Sequence, residues 1–268
     1  MAATRILYVT SEIDPFLQVS EVAKFVRKLP QAMQEKGMEV RILMPRFGII
    51  NERKNRLHEV VRLSGTNIPV GDEERPLVIK VASIPAAKLQ VYFIDNEDLF
   101  KRKFVFHGKD EKWYEDNDER SIFFCKGVLE TVKKLGWAPD IVHCNDWMTA
   151  LVPLYLKTTY KEDPIFENAK IVFSVFDNKF PETFDASIVD KAFMEHVNKD
   201  DLAGLTEGYN GLIKLAAANS DIVLDNTSDA AALKTLLKDS SDKIQTVGDS
   251  EEEIIENYFE FYNNIIAE

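Results

Sequence analysis

Residues 5 to 45 read as a single βαβ unit, and this constrains the fold more than any other stretch of the sequence. Arg5-Ile-Leu-Tyr-Val-Thr10 has the unbroken apolar character of a buried strand. Val22, Val26, Leu29 and Met33 then share one face of a helix over residues 20–36. Glu39-Val-Arg-Ile-Leu-Met44 follows as a second strand, ended by Pro45. Strand, helix and strand in this order predict parallel pairing with a helix laid across the sheet. The loop from first strand to helix is where such units hold a phosphate, which needs close backbone approach and an open helix N-terminus. Here that loop is Phe16-Leu-Gln-Val-Ser-Glu-Val22, and the first glycine of the chain is Gly37. Ser20 is expected as the N-cap, and Glu21 as a carboxylate standing where the anion would sit.

The alternation continues. Strand patterns fall at residues 140–144, 170–175, 221–224 and 243–247, and helix patterns at 118–135, 149–160, 208–219, 229–237 and 251–267. Between 51 and 108 the pattern changes. Strand-like runs at 57–63, 77–84 and 89–94, with a turn at Gly71-Asp-Glu-Glu, predict an antiparallel insertion. The expected fold is α/β, a doubly wound, mostly parallel Rossmann-like sheet, in one domain over residues 1–268. The apolar stripe Ile254, Ile255, Tyr258, Phe261, Tyr262 and Ile265 predicts that the last helix packs back on it. Residues 176–205, polar with scattered apolar positions, are the expected mobile segment.

Composition bounds the function classes. With 33 basic and 45 acidic residues the formal charge is −12, which disfavours nucleic acid and anionic membrane as general partners. No run approaches the ~20 apolar residues of a membrane span, and no signal-peptide pattern opens the chain. Cys125 and Cys144 sit in apolar patterns, as buried thiols of a reducing compartment do, so a cytoplasmic location is expected. His58, His107 and His196 lack metal-ligand spacing, and His143 lies inside an apolar strand, so neither a metal nor a cofactor is expected. The notable basic concentration is Lys101-Arg102-Lys103 with Arg53, Lys54 and Arg56, whose default reading is a solvated face.

Several blocks carry a resemblance. Arg5-Ile-Leu-Tyr-Val-Thr-Ser-Glu-Ile-Asp-Pro-Phe16, the stretches 29–48, 91–100 and 116–125, and above all Gly136-Trp-Ala-Pro-Asp-Ile-Val-His-Cys-Asn-Asp-Trp147 with the helix after it resemble the bacterial glycogen synthases and plant starch synthases. The resemblance implies the N-terminal, acceptor-side half of a two-domain GT-B glycosyltransferase, whose whole form transfers glucose from ADP-glucose. It also exposes departures. Gln18, Ser20 and Glu21 replace the lysine and two glycines of the family's first loop. Phe176 stands where a histidine near the transferred sugar is expected, and Asn145 where a histidine is frequent. Glu12, Asp146 and Trp147 survive as a glucan-binding set, with Arg120 at the start of a central helix. A carboxylate beside an indole suits a sugar, which offers an apolar face and hydroxyl donors. Asp146 also reads as a cap of the following helix, Glu12 equally as a surface carboxylate at a strand end, and Arg120 as the partner of Asp116, Asp118 and Glu119. No residue is assigned a catalytic role. The expected function is a catalytically degenerate glycogen-synthase-like protein, binding α-glucan or acting in regulation of glycogen metabolism. The alternatives are a glucosyltransferase half completed by a separately encoded partner or by a second copy of itself, and a homodimeric interaction protein with no sugar ligand.

Overall fold

The structure, a computed structural model, describes residues 3–267. Its strands are β1 (Arg5–Val9), β2 (Glu39–Pro45), β3 (His58–Glu59), β4 (Asn67–Val70), β5 (Glu73–Pro76), β6 (Val78–Ile84), β7 (Leu89–Asp95), β8 (Ile141–Asn145), β9 (Lys170–Phe176), β10 (Ile222–Asn226) and β11 (Ile244–Thr246). Nine join one sheet in the order β11-β10-β9-β8-β1-β2-β7-β6-β3, while β4 and β5 form a separate hairpin. From β11 to β7 every pairing is parallel. β6 and β3 continue the sheet antiparallel at one edge. The expected insertion is therefore an edge extension of the sheet: its run at 89–94 is β7, which pairs parallel with β2 and so belongs to the main sheet, and the run at 57–63 yields only the two-residue β3.

β1 lies centrally, with Val9 beside Leu43 on β2 and Cys144 on β8. Helix Val22–Glu35 and the last helix, Glu251–Ala267, meet over one face. Helices Asn117–Leu135, Leu151–Lys157 and Tyr209–Asn219 pack together over the other. Asn117–Leu135 is buried along most of its length and ends at Gly136, whose φ of 61° is the left-handed conformation glycine adopts cheaply. The helix expected over 149–160 divides into a tight turn at Trp147–Thr149 and the helix Leu151–Lys157.

The last helix is held by more than its apolar stripe. Tyr258, Tyr262 and Ile265 are buried, and Ile254, Ile255 and Phe261 are partly so. The Tyr262 hydroxyl meets Tyr8 on β1 at 3.1 Å and His143 Nδ1 on β8 at 2.6 Å. His143 Nε2 meets Ser174 Oγ at 2.7 Å, and Ser174 Oγ meets the Tyr258 hydroxyl at 2.9 Å. Burial pushes the His143 pKa down to about 3, so the ring is neutral, with one nitrogen donating and the other accepting. His143 is thus the satisfied core histidine that its strand predicts.

The segment expected to be mobile is pinned by apolar side chains. Phe180, Phe184, Ile188, Ala192, Val197, Leu202 and Leu205 are all buried. The Lys126 ammonium, on helix Asn117–Leu135, donates to the carbonyls of Pro69, Lys191 and Phe193 at 2.9–3.3 Å, tying this segment to the β4–β5 hairpin.

Candidate functional site

The chain runs outward from β1 to β2 and β7, then returns to the other side of β1 through β8, β9 and β10. The switch point therefore falls between β1 and β8, and open α/β sheets bind ligands beyond the carboxyl ends of the strands at such points. Glu12 follows β1, Asp146 follows β8, and Asn178 follows β9. The structure brings these three together at that crevice.

Glu12 does what the loop sequence was expected to leave to Glu21. Its Oε2 accepts from the backbone amides of Val19 and Ser20, the latter at 2.9 Å, and its Oε1 accepts from the Ser20 hydroxyl. These amides lie just ahead of helix Val22–Glu35, where the helix dipole favours an anion. The protein's own carboxylate fills that position and is only 2% exposed. Burial raises its pKa, opposed by the hydrogen bonds from Ser20 and Val19. Glu21 instead points outward and pairs with Lys24 at 2.9 Å. Glu21 rather than Ser20 is the N-cap position and makes no side-chain cap bond. The Ser20 hydroxyl serves both neighbours, accepting from the Val22 amide at 3.2 Å while donating to Glu12. Gln18 is exposed.

Asp146 is 1% exposed and adopts φ 67°, uncommon for a residue with a side chain. Its Oδ2 accepts from Asn178 Nδ2 at 2.7 Å, and Asn178 Nδ2 also lies 2.9 Å from the Ser20 hydroxyl. A chain of polar groups therefore runs Glu12–Ser20–Asn178–Asp146. Burial pushes the Asp146 pKa up to about 7; the Asn178 bond lowers it and the Glu12 charge raises it. The carboxylate makes no cap hydrogen bond, contrary to the capping reading, because it turns toward Asn178. The Asp146 carbonyl takes the local role instead, accepting from the Thr149 hydroxyl at 2.8 Å. Asn145 is fully buried and its amide bonds the Val9 and His143 carbonyls.

Trp147 is 3% exposed, so its ring is not an open platform. It sits among Phe106 at 5.0 Å, Phe180 at 4.9 Å and Trp113 at 5.7 Å. Phe180 in turn stands 5.7 Å from Tyr209. Phe176 packs edge-on against Phe25 at 5.2 Å and separates two pockets. Arg120 is buried without an acid partner. It donates to the Val105 carbonyl and the Asn117 side chain, both at 2.6 Å, and faces the Phe47, Phe100 and Tyr114 rings. The expected pairing fails because Asp116 is taken by Arg102, and Asp118 and Glu119 by Lys191. Burial lowers the Arg120 pKa to about 10. Asn178, which joins the two carboxylates, escaped the sequence reading, since nothing marks one polar loop residue among several.

A mostly parallel sheet with buried acids at its switch point defines a Rossmann-like α/β domain. The chain belongs to the starch synthase catalytic domain family, whose model matches residues 5–259. It is 39% identical over 239 residues to a glycogen synthase of Chlorobaculum parvum, covering 88% of this chain and 48% of that protein. It is 40% identical over 238 residues to a glycogen synthase of Chlorobaculum tepidum, covering 87% of this chain and 47% of that one. The chain thus spans about half the length of the curated relatives it matches. Its fold is similar to that of the catalytic domain of starch synthase IV from Arabidopsis thaliana, solved bound to ADP and acarbose. The TM-score is 0.74 at 21% identity, over 91% of this chain and 51% of that one. No described helix is long and apolar enough to cross a membrane.

Proposed function

We propose that this glycogen-synthase-like domain binds α-glucan, in a structural or regulatory role in glycogen metabolism, without itself transferring glucose. The observation that carries the reading is the closure of the first loop on Glu12. Transfer from a nucleotide sugar leaves a diphosphate, and its growing charge needs donors held ready for it. The amides of Val19 and Ser20 are already committed to an internal carboxylate.

Support for the glucan comes from the family and from a surface pocket that follows β9. A pocket of about 420 Å³ opens beside Phe176, with Tyr209 and Leu236 as apolar wall and Asp177, Asn210 and Asp229 as polar rim. Sugars match that mixture of apolar face and hydroxyl edge. Trp147 supports the wall from beneath through Phe180. Pairing of two copies through this same end of the sheet belongs to the reading, because a second apolar pocket of about 320 Å³ opens on the other side of Phe176.

Calorimetric titration with maltooligosaccharide, ADP-glucose and ADP in turn tests it, with a glucan-elongation assay alongside. Heat from maltooligosaccharide, reduced in Tyr209→Ala, without elongation of glycogen is the expected outcome. Elongation above a protein-free control that disappears in Asp146→Ala would sink the non-transferring reading.

A further inference from the structure

The basic concentration singled out in the sequence becomes one surface in the fold. β2 and β7 are parallel neighbours, so the loops that follow them leave the same edge of the sheet as the candidate crevice. The Gly48 amide donates to the Phe100 carbonyl at 2.7 Å, and a Cβ at Gly48 would run into the Arg102 backbone. The loop after β2 is thereby pressed onto the loop after β7. Helix Glu52–Asn55 is fixed alongside, because Glu52 bonds Lys80 at 2.8 Å and lies 3.3 Å from Arg46, which itself bonds Asp95 at the end of β7. Arg53, Lys54 and Arg56 are therefore brought beside Lys101, Arg102 and Lys103.

The basic side chains of this surface are only partly paired. Lys101 pairs with Glu97 and Arg102 with Asp116. Arg53, Lys54, Arg56 and Lys103 are exposed and make no ion pair among the described residues; the exposed acids near them in sequence, Glu59, Asp98 and Glu115, are likewise outside any ion pair. Two apolar side chains stand out beside them, Ile49 at 54% exposure and Phe104 at 43%. A purely solvated face needs neither of these.

We propose that this cationic, apolar-studded lip is a docking surface for a short acidic protein segment that carries aliphatic or aromatic side chains. Charge complementarity sets the sign of the partner. The rest of the molecule sets its length. The chain is −12 overall, so a long polyanion running off the lip meets negative surface, whereas a short acidic segment does not. Ile49 and Phe104 give an apolar side chain of that segment somewhere to bury, which a phosphate polymer does not use. The loop behind the lip supplies a readout. Its Phe106 packs on Trp147 and its Trp113 stacks 4.5 Å from Phe180, so seating a partner on residues 101–104 shifts tryptophan emission.

The test uses the whole chain and a labelled synthetic peptide of glutamates interspersed with leucines. Fluorescence anisotropy and intrinsic tryptophan emission are followed as salt is raised. The expected result is saturable, salt-sensitive binding that weakens roughly tenfold or more when Arg53, Lys54 and Arg56 are all changed to glutamate. It should also weaken several-fold in Phe104→Ser and for a peptide with serine in place of leucine. The exposed Lys161→Glu, at a site remote in sequence and carrying the same change of charge, should leave binding within about twofold. Absence of peptide binding would overturn the proposal. So would equal binding by the triple variant, or tighter binding of a single-stranded oligonucleotide than of the leucine-bearing peptide.

Discussion

The Asp146 carboxyl is the most perturbed group of the crevice, and its titration gives a signed prediction. Its pKa of about 7 lies above the ~4 of an unfolded aspartate. Between those values the folded chain holds a proton that the unfolded chain has released. Stability from this group is therefore full below about pH 4 and is lost as pH rises through 7. His143 acts oppositely, since its folded value of about 3 lies below the unfolded ~6.5, and its contribution falls away as the pH drops through that window. Asp146→Asn keeps an acceptor for Asn178 and removes the charge. Thermal melts should show it more stable than the parent by a few kcal/mol at pH 8, with the gain shrinking toward pH 5. A gain independent of pH would mean that Asp146 is not carrying its proton into the fold. Glu12 shows why this chemistry was only half legible in the sequence. A glycine-free loop predicts that an external phosphate is not welcome. It does not say which acid takes its place, because Glu12 reaches the loop amides only after the turn at residues 13–17 folds back. The tether also gives that carboxylate a high local concentration against any free anion.

At the scale of elements, periodicity located the longer helices and the parallel strands, since both rest on apolar patterns in the sequence, and missed the short helices at Glu52–Asn55, Glu97–Phe100, Ile188–Ala192 and Lys199–Leu202. It failed where structure depends on partners remote in sequence. β3 is two residues long and pairs only with Lys80 and Val81 of β6. The β4–β5 hairpin was expected only as a turn at Gly71, because Pro69 and Pro76 interrupt its two four-residue strands and β5 is charged. Residues 176–205 looked loose because their apolar side chains have no period, yet they are packed down one by one. The last helix was legible as an apolar stripe, but the stripe hid the hydroxyls of Tyr258 and Tyr262. Those hydroxyls make the docking specific. Tyr262→Phe keeps the ring and strands His143 Nδ1 and the Tyr8 hydroxyl in the core. Urea unfolding should show a loss of about 1–3 kcal/mol. A cost within a few tenths of a kcal/mol would mean that the network is incidental to packing.

For the whole molecule, the crevice end of the sheet gathers the candidate site, the two pockets around Phe176 and the exposed Val19. Apolar surface concentrated at one end of a folded chain favours self-association. Light scattering across a concentration series should reveal a dimer, weakened by Phe25→Glu, and a constant monomer mass at high concentration would exclude it. The clasp between Tyr8 and Tyr262 has a different kind of consequence. It joins positions 254 residues apart, and it does so over the central strand of the sheet rather than at an edge. A chain made from its N-terminus onward can lay down β1, β2 and β8 early. The polar slot beside His143 nevertheless stays open until the last helix has been synthesised. The fold of this domain is therefore completed only by its last helix, and a nascent chain halted before residue 258 lacks the hydroxyls that satisfy His143 and Tyr8.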